Sequence, residues 1–140
     1  MRRFNFKDQI VFENTNYLAI NKPPGVSSLH ERIGLANSVF EQAKKYNNHL
    51  QLCHRLDKET SGLLLLSKHA DAYSHAAQAF EKRTIKKIYH AISHGNHSYD
   101  DFKVDLPLVT TRSGRSAVSK QKGKPSQTSF TTLKNFVHFT

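Results

Sequence analysis

The segment Gly62–Ser67 reads GLLLLS and is closed on both sides by polar residues. A continuous apolar run of this length predicts a strand buried within a sheet. It is far too short to cross a bilayer, which takes about 20 apolar residues. A buried strand must satisfy its backbone groups against neighbours, and the preceding sequence offers them. Residues 10–13 read as a short strand, Asn14-Thr15-Asn16 as a turn, and residues 17–21 as a second strand, together a β-hairpin. Lys22-Pro23-Pro24-Gly25 then stops regular structure, because neither proline can donate to a ladder. Residues 50–53 form a further short apolar stretch.

Helical spacing appears twice. Leu35, Val39, Ala43 and Tyr46 predict a helix over 35–46, and Ala72, Tyr73, Ala76, Ala77 and Phe80 mark one face of a second over 70–83. Residues 86–94 read as a strand ended by Gly95, and 102–109 as one interrupted by Pro107. The stretch 111–126 is polar, basic and broken by Gly114, Gly123 and Pro125, so it reads as a long loop or a mobile hairpin that a bound partner could order. Residues 128–139 are rich in Thr, Phe and Val and read as a last strand. Strands and helices do not alternate as βαβ units. The expected class is therefore α+β, a mixed and largely antiparallel sheet with flanking helices.

Charge narrows the partner. Twenty-one Lys and Arg stand against eleven Asp and Glu, a formal charge of +10. No acidic residue follows Asp105, whereas Arg112, Arg115, Lys120, Lys122, Lys124 and Lys134 do. Lys82, Arg83, Lys86 and Lys87 form a second cluster, offset only by Glu81. Segregated positive charge suits a phosphate-bearing partner, nucleic acid above all. The single cysteine, Cys53, excludes an internal disulfide and a cysteine-only metal site, and reads as a small buried apolar residue. The N-terminal MRRFNFKDQI lacks the apolar stretch of a secretory signal. A reducing, cytoplasmic setting without a membrane is expected.

The densest functional chemistry lies between the two apolar stretches. His54, Arg55, Asp57, Lys58, Glu59, Thr60 and Ser61 crowd into one loop just before Gly62. A polar loop held by rigid strands is a common way to present a reactive side chain. Local chemistry alone leaves Asp57 open as a turn residue, a salt-bridge partner of Arg55 or a catalyst. Other signals are weaker. His90, His94 and His97 have a spacing compatible with zinc but lack a completing ligand, and they read as solvent-exposed or RNA-facing. Glu13, Glu31 or Glu59 could pair with Asp57 as in a glycosidase, although sequence gives no separation. Lys22 reads as a phosphate or structural contact.

The order of motifs adds a resemblance. HRLDKETSGLLLLSK, from His54 to Lys68, resembles the signature of the RluA-type pseudouridine synthases. NKPPG at 21–25 is similar to that family's early Lys-Pro-x-Gly segment, RTIKKIYHAISHG at 83–95 to its Lys-x-Tyr strand, and GKPSQTSF at 123–130 to the stretch before its last motif. The likeness runs from about Ile10 onward. It implies an incomplete pseudouridine synthase fold and isomerisation of uridine to pseudouridine in ribosomal or transfer RNA, with no metal or organic cofactor. Asp57 takes the place of the catalytic aspartate, and Tyr89 that of the active-site tyrosine packed on the base. Arg55 stands where an arginine enters the RNA stack. His54 and Thr60 belong with it on the RNA-binding loop, as supports.

The family continues into a half carrying a His-Gln-[Ile/Leu]-Arg motif, whose basic residue pairs with the aspartate, and no such segment occurs here. The resemblance therefore implies that residues 1–140 are an N-terminal portion of the catalytic domain. No separate RNA-binding domain precedes it, and the portion is expected to be inactive alone. The alternative is a non-catalytic RNA-binding module derived from such an enzyme.

Overall fold

A computed structural model of the chain describes residues 4–29, 38–111 and 115–140. Leu35, Glu31, Arg112 and Gly114, which entered the expectations above, lie outside them. The chain divides into two compact units, Met1–Lys87 and Ile88–Thr140.

The first unit is built on the expected hairpin. Strand β1 (Ile10–Glu13) pairs antiparallel with β2 (Tyr17–Lys22). Asn14 makes the turn: its Oδ1 accepts from the amides of Asn16 and Tyr17 at 2.9 and 2.7 Å, and its own amide donates to the Tyr17 carbonyl at 2.9 Å. Strand β4 (Gly62–Ser67) lies against β2, and β3 (Gln51–Leu52) against the far side of β4, giving the antiparallel order β1-β2-β4-β3. Leu18 faces Leu66 and Ile20 faces Leu64 across the ladder, and all four are fully buried. With Phe6, Val39, Ala43, Leu50 and Leu56 they form the core. The four leucines are not buried throughout, however. Leu63 is 67% exposed, so β4 alternates as a strand with one covered face.

Two helices flank this sheet. Helix α1 (Val39–Tyr46) starts at Ser38, whose hydroxyl accepts from the Glu41 amide while the Glu41 carboxylate accepts from the Ser38 amide, both at 3.3 Å. Helix α2 (Ala70–Glu81) is capped by His69, whose Nδ1 accepts from the Ala72 amide at 3.3 Å. It ends two residues before the predicted limit, where Arg83 takes a left-handed φ of 55°. No helix among the described residues is long and apolar enough to cross a membrane.

Alternation along β2 has a consequence at its end. Leu18, Ile20 and Lys22 share the inward face, so a lysine points into the interior and is fully buried. Opposite it stands Gly62, with no side chain and a φ of 123°. The Lys22 ammonium donates to the carbonyls of Pro23, Val26 and Lys58 at 3.1, 2.8 and 3.1 Å. Burial lowers its pKa from the ordinary lysine value, and the negative charges of Glu59 and then Asp57 oppose that shift. Of the two sequence readings of Lys22, the geometry supports the structural contact.

The second unit has a different character. Strand β5 (Phe102–Asp105) pairs with β8 (Gln127–Phe130), and β6 (Leu108–Thr110) with β7 (Ser116–Val118), both antiparallel. The expected strand 102–109 is thus two strands split around Pro107, which cannot donate. Of the two readings of 111–126, a loop or a hairpin, the pairing of β7 with β6 supports the hairpin over 116–118. The expected strand 128–139 reaches only to Phe130. Residues 86–94 form no strand; their regular pairing is limited to a bridge between His94 and Phe139, with Ser93 and Thr140 exchanging backbone bonds of 2.7 and 3.0 Å. Strand propensity there finds a backbone partner only at its end. Gly123 is required by crowding: a Cβ at that position would run into the carbonyls of Ser119 and Pro107. No described residue of this unit is buried. His97 stacks on Tyr99 and Tyr99 on Phe102, with centroids 5.3 and 5.2 Å apart.

Two expectations follow for urea denaturation of the protein. Leu64→Ala lowers the unfolding free energy by about 3 kcal/mol through the cavity it leaves, whereas Leu63→Ala, one residue away on the exposed face, changes it by less than about 1 kcal/mol. Lys22→Met keeps the buried volume but strips three carbonyls of their donor, and costs about 3 kcal/mol.

Candidate active site

The loop from Cys53 to Ser61 leaves β3 and returns as β4, and it is tied down at every second residue. Cys53 still belongs to the ladder: its amide donates to the Leu65 carbonyl at 3.0 Å. One residue on, the half-buried His54 ring packs on Phe80 of α2, with centroids 4.8 Å apart, and its Nε2 accepts from the Leu65 amide at 3.1 Å. Leu56 is buried in the core. Its amide donates to the Ser28 hydroxyl at 3.1 Å, and that hydroxyl donates to the Leu56 carbonyl at 2.6 Å. Ser28 is itself buried. The Lys58 carbonyl accepts from both the Gly25 amide, at 2.8 Å, and the Lys22 ammonium. Gly25 has a φ of 80°, the value a type II turn demands of its third residue.

Positions 54, 56 and 58 are therefore the anchors, and the intervening residues face outward. Arg55, Asp57 and Glu59 are all exposed, and so is Lys58, whose anchor is its carbonyl alone. The Thr60 amide donates to the Asp57 carbonyl at 3.1 Å, which closes a tight turn, and Thr60 is half-buried. The arrangement presents a guanidinium and a carboxylate two residues apart on a loop whose backbone is fixed on both sides of each. A carboxylate held this way can attack a carbon centre or take a proton from a molecule bound over the loop.

His54, Arg55, Asp57 and Thr60 thus share one loop of the first unit. Tyr89 belongs to the second unit and is 60% exposed, outside any regular element. Ser28, which sequence reasoning did not single out, is the residue that fixes Leu56. Its only sequence signal is its place just after the Lys-Pro-Pro-Gly turn.

The remaining candidates have other partners. Glu13 accepts from Lys68 Nζ at 2.8 Å and from the Tyr46 hydroxyl at 3.0 Å, and the Lys68 bond holds its pKa below the ordinary carboxylate value. It is thus committed to a surface network. His94 packs on Phe139, with centroids 4.9 Å apart. Cys53 is half-buried rather than fully buried, and burial pushes its thiol pKa up. Lys82, Arg83, Lys86, Lys87, Arg115, Lys120, Lys122, Lys124 and Lys134 are all exposed.

Comparison with known proteins places the chain in a family. The RNA pseudouridylate synthase profile matches residues 16–139. The chain is 35% identical over 133 residues to the dual-specificity RNA pseudouridine synthase RluA of Vibrio vulnificus, covering 93% of this chain and 53% of that protein. It is 32% identical over 134 residues to the ribosomal large subunit pseudouridine synthase C of Vibrio cholerae, covering 94% and 42%. It therefore spans about half the length of these relatives. The solved structure of human RNA pseudouridylate synthase domain containing 4 aligns with 96% of this chain and 57% of its own, at a TM-score of 0.65 and 22% identity, and so shares the fold. Human RNA pseudouridylate synthase domain containing 1 aligns with a TM-score of 0.62 at 18% identity. The sequence match extends through the pinned loop and both units, and the chain belongs to the RNA pseudouridylate synthase family.

Proposed function

We infer that the protein isomerises uridine to pseudouridine in RNA, and that residues 1–140 supply the part of the catalytic domain that carries the reactive aspartate. The observation that supports this most is the exposed Asp57 on a loop anchored through His54, Leu56 and Lys58, inside the segment matched to the family. The names of the relatives, a dual-specificity RNA enzyme and a ribosomal large subunit enzyme, favour ribosomal or transfer RNA as substrate.

The reaction breaks the bond between N1 of uracil and C1′ of ribose, turns the base, and joins C5 to C1′. The proton on C5 is released, and oxidation state does not change. Asp57 is the catalytic carboxylate, acting on C1′ or on the C2′ proton. The target nucleotide must leave its stack to reach the loop. By the resemblance, Arg55 takes the part of the arginine that enters the stack, and Tyr89 that of the tyrosine packed on the base. The exposed lysines and arginines hold the phosphate backbone.

In the intact protein, tritium release from RNA containing 5-tritiated uridine measures turnover directly. Asp57→Asn lowers it by at least about a thousandfold, with RNA affinity and folding stability nearly unchanged because the side chain is exposed. Turnover by Asp57→Asn equal to that of the native protein would remove Asp57 from this role. RNA affinity itself falls linearly with salt on logarithmic axes, as filter binding across a salt series reads.

A further inference from the structure

We propose that His54 is a positioning residue whose neutral imidazole closes the last rung of the β3–β4 ladder and so sets where Arg55 and Asp57 stand. The inference rests on the uridine-isomerase reading for its functional consequence, and on the ladder geometry for its physical basis.

In an antiparallel pair, both backbone groups of a residue face the same neighbour. The Leu65 carbonyl accepts from the Cys53 amide, so the Leu65 amide points to that side as well. The ordinary acceptor for it would be the Cys53 carbonyl. Here the amide donates to His54 Nε2 at 3.1 Å instead. The ring has replaced a backbone acceptor at the point where the chain peels away from the sheet. That substitution lets the backbone turn outward one residue early without stranding an amide in the interior.

The chemistry demands one form of the ring. Nε2 can accept only if it carries no proton, so the proton of the neutral ring sits on Nδ1. A protonated ring would set N–H against N–H. The surroundings favour the neutral form. Burial between Phe80 of α2 and Leu65 of β4 lowers the His54 pKa from its ordinary 6.5, the positive charge of Lys87 adds to this, and a backbone hydrogen bond at Arg55 opposes it. The sign follows from linkage. The unfolded chain takes up the proton at the ordinary value, so the rung's contribution is fully present above about 6.5 and is lost as pH falls through the lowered folded value. Losing the rung frees the loop next to Arg55, and a displacement of about 1 Å at a catalytic group costs on the order of 100-fold in rate.

The test uses the intact protein and two independent readouts. Long-range nitrogen–proton correlation NMR at neutral pH should show His54 Nε2 unprotonated and Nδ1 bearing the proton. An Nε2-protonated ring overturns the inference whatever the activity. Tritium release is then followed from about pH 5 to 8. His54→Ala, which has no acceptor, should lower kcat by about tenfold or more at the upper end, with KM for RNA changed much less. His54→Gln, whose amide oxygen can accept but does not titrate in this range, should recover most of that loss and show a weaker acid limb than the native protein. Full kcat in His54→Ala, or the native acid limb retained in His54→Gln, overturns it. Absence of turnover in the native protein would instead refute the isomerase reading, and the NMR result would then decide the ladder geometry by itself.

Discussion

The pairing of β2 with β4 sets the position of everything else in the first unit. Its register puts Leu18 on Leu66 and Ile20 on Leu64, the four residues at the centre of the core. A slip of β2 by one residue would turn Leu18 and Ile20 outward, away from Leu64 and Leu66. The same register carries Lys22 inward beside Gly62, and through Lys22 the sheet takes hold of the Lys58 carbonyl. The hydrophobic ladder and the buried ammonium are therefore one device. The first fixes the direction of the second, and the second reaches the loop that bears Asp57. Burying a lysine costs desolvation, which three carbonyls offset here, with the charges of Glu59 and Asp57 close enough to favour the ammonium further.

Much of this architecture was legible in the sequence, for identifiable reasons. The β1–β2 hairpin was visible because Asn14 makes its turn with its own side chain, a local interaction. The strand at 62–67 was visible because its apolar run ends sharply on both sides. Residues 86–94 misled, since propensity for extended structure does not supply a pairing partner, and only His94 and its neighbours find one. In the last third, the interruption at Pro107 was legible because proline cannot donate to a ladder, and β7 pairs with β6 as the hairpin alternative for 111–126 implies, whereas the strand expected over 128–139 stops at Phe130.

The site was legible as a segment and illegible as a geometry. HRLD marked the loop and pointed to Asp57, but nothing local showed which of its residues face in. The buried Ser28 that holds Leu56 lies 28 positions away, and its contribution is a pair of hydrogen bonds to backbone atoms. Such a bond leaves no trace in composition or spacing. Lys22 was different. The expected strand stops at residue 21, one short of β2's end, so the alternation that turns Lys22 inward after Leu18 and Ile20 is not counted there, and lysine is seldom fully buried. Tyr89 stands in an exposed run of the second unit, where periodicity carried no information about its surroundings.

The alternate anchoring of the loop also bears on how such a site can evolve. The tie at 58 runs through a carbonyl that every residue type possesses, and at 56 through an amide and a carbonyl. Side-chain identity is demanded mainly at His54 and Leu56 and at the partners Ser28 and Lys22. The outward side chains at 55, 57 and 59 make none of these hydrogen bonds, and Asp57 and Glu59 bear on them only through the charge they set near the Lys22 ammonium. The scaffold thus behaves as a socket with three interchangeable pins. Selection can test new reactive groups there one at a time, while the frame that aims them stays as it was.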